Sequence, residues 1–399
     1  MVDLADCRNI ADLREAARRT LPRFIFEFID RGAEDEVAVA HNRAAFERIK
    51  IRGRSLVDIS QRDLSTTLFG RRMAMPAAVA PMSPLGLAWY QGELAMARAA
   101  AAAGVPYTLP TMAMTPMDAI LASAAERIAG ESGARLWFQL YTWEDRAASD
   151  RLVSRARDAG FEALLVTVDT AVSPNREYNQ RNGFVMPFRF TPNVMLDMLR
   201  HPAWLARVMG RYLTTTGLPR MENYPTRHRA TRPSNDPGLK STNSLSWDDI
   251  RRLRDLWPGK LLIKGVMRGD DAAQAMEHGL DGVVVSNHGG RNLDSAVAPI
   301  EVLAEVVAAV AGRGAVLMDS GVRRGSDILK ALALGADAVL LGRPMAFGMA
   351  TAGQAGAARA LALLREEFSI AMAYGGCRSV ADITPDLLAA FPQGAAAGG

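Results

Sequence analysis

Val283-Val284-Val285-Ser286-Asn287-His288-Gly289-Gly290-Arg291-Asn292-Leu293-Asp294 is the stretch whose reading decides the fold. Three valines end, and polar and glycine positions follow at once. This pattern reads as a buried strand emptying into a loop of functional side chains. Gly289 and Gly290 let the backbone turn tightly and let a ligand come close. His288 is a candidate base, and Arg291, three residues on, offers a planar fork for a carboxylate. A base beside a carboxylate clamp suits proton abstraction next to an acid group. The ordinary alternative is a packed histidine with a solvated arginine, and the combined pattern weighs against it.

The same unit, an apolar run followed by a polar or glycine corner and an Ala-rich helical stretch, recurs along the chain. The runs are Pro76–Ala80, Val105–Leu109, Leu136–Leu140, Leu164–Val168, Leu261–Ile263, Val283–Val285, Val316–Met318 and Ala338–Leu341. Continuous apolar strands alternating with helices predict a parallel sheet covered by helices, and eight such units predict an α/β chain closed into a (β/α)8 TIM barrel. A doubly wound sheet is the competing architecture. No complete G-x-G-x-x-G follows any of these runs, which argues against a nicotinamide-binding domain.

Residues 1–399 thus read as a single domain, with additions. Residues 1–75 read as an N-terminal helical cap, with amphipathic stretches at Ile10–Arg19 and Pro22–Arg31 and Pro22 at a helix start. Residues 171–245 form a long insertion after the fourth strand, on the face where barrels build their active sites. Within it Val194–Leu213 is apolar and amphipathic, and 200–232 is rich in arginine with one acid, Glu222. Two readings stand: a lid helix packed on its own barrel, or a contact with a membrane surface or a partner. Residues 392–399 read as a flexible tail.

Composition narrows the class. The chain has 399 residues, 49% of them hydrophobic, and a net charge of +4. That excludes global disorder and gives no sign of a nucleic-acid partner. Cys7 and Cys377 lie far apart, with neither metal-ligand spacing nor a disulfide framework. With no opening signal peptide and no run long enough to span a bilayer, a cytoplasmic location is expected, with peripheral attachment to the inner membrane face under the second reading of the insertion.

If the barrel closes, the strand ends converge. They carry Ala80, Pro81, Met82 and Ser83; Gln139 and Tyr141; Thr167 and Asp169; Lys264; His288 and Arg291; Asp319; and Gly342 and Arg343. Lys264 is informative because the sequence has only five lysines and this one lies in the buried run LLIKGV. A buried lysine needs a partner or loses its charge, and an anionic flavin ring would serve. After the seventh and eighth strands, Gly321, Arg323, Gly342 and Arg343 stand where barrels often hold a phosphate.

SNHGGRNLD resembles the active-site motif of the FMN-dependent 2-hydroxy acid dehydrogenases and oxidases. GAEDE, LWFQLY, LRDLWPGKLLIKG and RRGSDILKALALGADAVLLGR are similar to the mandelate dehydrogenase branch of that family, and the likeness runs from about Leu21 to Ile383. The resemblance implies bound FMN and a 2-hydroxy acid substrate, with His288 as base, Asp169 on its second ring nitrogen, and Tyr141 bonded to substrate. It also implies a carboxylate clamp of Arg176 and Arg291. Lys264 would sit by the flavin N1–O2 edge, Gln139, Thr167 and Ser286 near the ring, Asp319 near the ribityl chain, and Arg323 and Arg343 at the phosphate. A homotetramer is implied as well.

Three positions depart from the family pattern. Phe28 stands where a tyrosine hydroxyl usually binds the substrate carboxylate. Met112 stands where glycolate oxidase has a tryptophan, and methionine suits an irregular apolar pocket. Both favour a larger, mandelate-like acid over glycolate or lactate. Ser83 stands where relatives carry alanine or glycine and leaves the electron acceptor open between quinone, cytochrome and O2. The expected activity is dehydrogenation of a bulky (S)-2-hydroxy acid. Alternatives are an O2-using oxidase on the same site, a flavin- or phosphate-binding barrel isomerase, or a non-catalytic barrel, the last two disfavoured by Lys264, His288 and Arg291.

Overall fold

The computed structural model describes residues 3–125, 134–184, 191–225, 228–229 and 242–389. Eight parallel strands close into a barrel in sequence order: β1 (Ala77–Val79), β2 (Tyr107–Pro110), β3 (Leu136–Leu140), β4 (Ala163–Thr167), β5 (Lys260–Val266), β6 (Gly282–Val285), β7 (Ala315–Met318) and β8 (Ala338–Leu341). β8 pairs with β1, so the sheet has no free edge. The apolar runs form strands because both faces are buried. Ala78, Trp137, Leu165, Leu262, Val284 and Leu340 fill the interior, and alternate residues such as Val79, Phe138, Val166 and Val283 pack outward on the helices.

The leading 75 residues are only partly helical. Helices α1 (Ile10–Thr20), α2 (Arg23–Asp30) and α3 (Val37–Arg48) end at Arg48, and Thr66–Leu68 and Arg71–Met73 form an antiparallel hairpin. Phe69 and Gly70 adopt φ of 54° and 74° at its tip, the left-handed pair that tight hairpins use. Leu68 and Met73 join the barrel interior, and Phe69 meets Trp137 at 6.0 Å, so this hairpin plugs the N-terminal end of the barrel. The β-branched pair Thr66–Thr67 and the short Phe-Gly turn carried this signal, which helical periodicity does not detect.

Two elements place the N-terminal segment over the opposite mouth. α1 lies against the long, kinked C-terminal helix Arg343–Gly375. α2 and the turn after it reach the loop that follows β6, where Ala33 N donates to Gly290 O at 2.9 Å. Gly290 (φ 71°) has no room for a side chain: a Cβ there would lie 2.8 Å from Val39 N. The glycine is thus required by the close approach of α3.

The apolar stretch Val194–Leu213 is not one helix. Pro192–Leu199 ends before His201-Pro202, and a helical segment resumes through Pro202–Trp204, the wide turns of Leu205–Gly210, and Arg211–Thr214. Pro202 cannot continue the preceding hydrogen-bond ladder. One face packs inward through Val194, Met198, Trp204, Val208 and Tyr212, with Trp204 Nε1 donating to Leu87 O at 2.8 Å. Met195, Leu196, Leu199 and Leu213 face solvent, between 49% and 66% exposed. The arginine-rich end of the insertion and the tail at 392–399 lie wholly or partly outside the described residues.

Candidate active site

At the C-terminal mouth of the barrel a cavity of about 600 Å³ collects the side chains read from the strand ends. Ligand pockets typically span ~300–1,000 Å³. Its lining includes Ala80, Pro81, Met82, Ser83, Met112, Gln139, Tyr141, Arg176, Lys264, His288, Arg291, Asp319, Gly321, Arg323, Gly342 and Arg343, together with Phe28 from α2.

His288 sits in the left-handed region at φ 57°, rare for a residue with a side chain, and its amide donates to Ser286 Oγ at 3.1 Å. That turn aims the ring at Asp169, whose oxygens lie 3.0 and 3.1 Å from Nδ1. Nε2 faces the cavity, 3.4 Å from the Tyr141 hydroxyl. Burial opposes the charge on Asp169, but His288 and then Lys264 outweigh it, and its pKa is lowered. Asn292 Nδ2 donates to Asp169 O at 2.7 Å and fixes the carboxylate's backbone. Burial pushes the Tyr141 phenol up to about 12, so it is a neutral donor across the ordinary pH range.

Lys264 is 4% exposed, and its ammonium bonds Ser286 Oγ at 2.9 Å and pairs with Asp319 at 3.0 Å. Sequence reasoning looked to a flavin ring for the counter-charge; the protein supplies one itself. Burial works against the ammonium, but Asp319 and Asp169 outweigh it and raise its pKa. Gln139 Nε2 donates to Thr167 Oγ1 at 2.9 Å. Thr167 and Ser286 do not line the cavity; they stand behind Gln139 and Lys264 and hold them.

Four arginines ring the cavity. Arg291 Nη1 donates to the carbonyls of Phe28 and Arg31 at 2.6 and 3.0 Å. Arg176 Nε donates to Arg291 O at 3.0 Å. Arg343 bonds the carbonyls of Ile29, Gly289 and Arg31, and Arg323 that of Val322. Among the described residues none of the four has a carboxylate within ion-pair distance. Burial and Arg291 push Arg343 down to about 9, and burial with Arg43 pushes Arg323 to about 10. Burial and Arg291 likewise bring Arg176 to about 10. Cations held this way are stabilised by incoming anions. The cavity thus offers cations for two anionic groups, a carboxylate and a phosphate, and its lining also includes Lys264 and Gln139.

Several lining residues escaped the sequence reading. Phe184 and Met221 enter from the insertion, which has no regular period, and Leu85 comes from the loop after β1. Phe184 stacks on Phe28 with ring centroids 4.3 Å apart, and the Arg291 guanidinium lies 4.8 Å from the Phe28 centroid. Asn292, adjacent to Arg291, was visible in the motif but had no assigned task.

A mouth of this kind suits an oxidoreductase that holds a phosphorylated flavin beside a carboxylate substrate. A family model described as FMN-dependent dehydrogenase matches residues 17–390, and the chain belongs to that family of FMN-dependent 2-hydroxy acid oxidoreductases. Its cofactor is FMN. It is 41% identical to an L-lactate oxidase of Nostoc sp. over 95% of this chain and 97% of that protein. It is 38% identical to an (S)-mandelate dehydrogenase of Pseudomonas putida over 95% and 93% of the two chains. The crystal structure of the monotopic membrane protein (S)-mandelate dehydrogenase superposes with a TM-score of 0.85 at 36% identity, covering 96% of this chain and 99% of that one. No helix among the described residues is long and apolar enough to cross a membrane.

Proposed function

We propose that this enzyme oxidises bulky, aromatic or branched (S)-2-hydroxy acids to 2-oxo acids and delivers the electrons to an acceptor at a membrane surface. The stacked Phe28–Phe184 pair beside Arg176 and Arg291 carries this reading. The arginines hold the substrate carboxylate, Tyr141 bonds the acid, and Met112, Met221 and the two phenylalanines enclose its side chain. His288 Nε2 takes a proton from the substrate, while Asp169 holds the other ring nitrogen and stabilises the imidazolium. Lys264, Gln139, Asp319, the Ala80–Ser83 loop, Gly321, Arg323, Gly342 and Arg343 would hold FMN, with Thr167 and Ser286 bracing Gln139 and Lys264 from behind, and FMN when bound supplies the two-electron acceptor.

Phe28 offers no hydroxyl to a carboxylate, and losing a hydrogen bond to a charged group costs about 1.5–3 kcal/mol. A small acid has little else to bind with. A phenyl or branched group recovers a similar amount by apolar burial at about 25 cal/mol per Å². The expected result is a higher kcat/KM for (S)-mandelate than for L-lactate in a dye-linked assay, with Phe28→Tyr narrowing the gap by helping lactate more. A parent enzyme that prefers lactate or glycolate, or a ratio unmoved by Phe28→Tyr, would sink the substrate reading.

The exposed apolar side chains of Met195, Leu196 and Leu199 on Pro192–Leu199, with Leu213 on the segment after the break, support the membrane-surface acceptor, since exposed apolar side chains on amphipathic helical segments suit interfacial insertion. The (S)-mandelate dehydrogenase whose structure superposes on this chain is a monotopic membrane protein. In flotation with anionic liposomes at low salt the protein should rise with the vesicles, and Leu196→Glu/Leu199→Glu should stay below. Protein that remains in the soluble fraction argues against this acceptor. Hydrogen peroxide formed at the turnover rate would favour the oxidase reading, as in the Nostoc relative's name.

A further inference from the structure

Glu93, near the start of the helix Gly92–Ala102, is fully buried yet has no cation within ion-pair distance among the described residues. Its bonds run to two different loops of the active-site face. Oε1 accepts from Gly86 N at 3.3 Å in the loop after β1, and from Met114 N at 3.1 Å in the loop after β2. Oε2 accepts from the Thr115 hydroxyl at 2.8 Å, also after β2. Gly86 follows Leu85, and Met114 lies two residues beyond Met112; Leu85 and Met112 both line the substrate cavity. The only other side-chain bond directly joining these loops in the described residues is from Ser83 Oγ to Met112 O, nearer the cavity.

A buried carboxylate is costly, and here burial raises the pKa of Glu93 against the opposing pull of Thr115 and the amides. An apolar residue would fill the space without that cost, but it would leave two amides and a hydroxyl buried without acceptors. The Tyr212 hydroxyl of the insertion lies against the same turn, 2.6 Å from where a Gly86 Cβ would be, so the turn is packed from outside as well as tied from beneath.

We propose that Glu93 is a positioning residue for the substrate pocket: it fixes the separation of the loops after β1 and β2 and thereby the placement of Leu85 and Met112 against the substrate's side chain. This rests on the pocket assigned above. It places a specificity determinant outside the cavity, on a residue that touches neither substrate nor flavin. Loosening the loops should weaken substrate binding more than turnover, because His288, Asp169 and Lys264 are anchored on other strands.

The test uses FMN-loaded Glu93→Ala, Glu93→Gln and Thr115→Val, with KM and kcat for (S)-mandelate and L-lactate and the visible flavin spectrum of each. Glu93→Ala should keep the parent spectrum and a kcat within about 3-fold while KM rises about 10-fold, the scale of a lost charge-assisted bond. Glu93→Gln, whose amide oxygen still accepts from both N–H groups, should restore KM to within about 3-fold of the parent. Thr115→Val should fall between the two. An unchanged KM in Glu93→Ala overturns the proposal, and so does a joint collapse of kcat, KM and spectrum that glutamine does not rescue. If the alanine variant fails to fold, an unchanged KM in Thr115→Val overturns it equally. Each effect is read against the parent on the same acid. A parent that prefers lactate therefore removes the substrate reading and leaves the Glu93 result standing.

Discussion

His288→Asn should leave FMN bound and slow flavin reduction by a 2-hydroxy acid by about 10²–10⁴-fold, the usual contribution of a positioned general base. Asparagine fits the left-handed turn at φ 57° better than most residues, so the loop and Arg291 stay in place. What disappears is the Nε2 lone pair facing the cavity, while Asp169 loses its imidazole partner. Anaerobic stopped-flow bleaching of the flavin measures the step directly. A variant that bleaches at the parent rate would remove His288 from the chemistry. Unchanged FMN affinity distinguishes lost chemistry from a damaged site.

Lys264→Met should cost about 3–5 kcal/mol of stability, the scale for breaking a buried ion pair from one side. Asp319 would lose an ammonium 3.0 Å away, and Ser286 its donor, in a place where water does not replace either. Urea unfolding of parent and variant measures the loss, and adding Asp319→Asn should return part of it. A cost below about 1 kcal/mol, the value of an exposed pair, would show that the pair is not buried as described. The pH dependence follows from the direction of each shift. The folded-state pKa of Lys264 is raised, so its contribution is complete below the ordinary lysine value of ~10.4 and is lost as pH rises through the folded value. Asp169 is lowered, so its contribution is complete above ~3.9 and is lost as pH falls through the folded value.

The barrel was legible because each of its strands is buried on both faces, so the alternation of apolar run and polar corner survived in the sequence. The strand ends were legible for the same reason: a polar residue directly after a buried run can only stand at the mouth. The hairpin at 66–73 was missed, because its two three-residue strands are too short to show a period and only the Thr66–Thr67 pair and the Phe-Gly turn marked it. The break at Pro202 could have been read from the proline itself, but the amphipathic stripe on both sides of it looked continuous. Phe184 and Met221 reach the cavity through an irregular insertion, where tertiary packing alone decides which side chain points inward. The Lys264–Asp319 pair joins residues on β5 and after β7, and nothing local to either announces the other. Glu93 was not singled out, since its significance lies in two loops that sequence does not place together.

Arg291 and Arg343 end on the carbonyls of Phe28, Ile29 and Arg31, across separations of 260 to 314 residues. During synthesis at about 5–20 residues per second, the acceptors emerge roughly 13–50 s before the first of these donors. For that interval the C-terminal end of α2 carries carbonyls with no guanidinium to meet, and the barrel lacks the strands that would seat it. Assembly of the mouth is thus among the most non-local steps in folding, delayed until β6 and β8 are in place. The nascent chain therefore has no means of binding flavin and substrate together before its barrel closes. Catalytic competence waits on β6 and β8, the strands that lead into His288, Arg291 and Arg343.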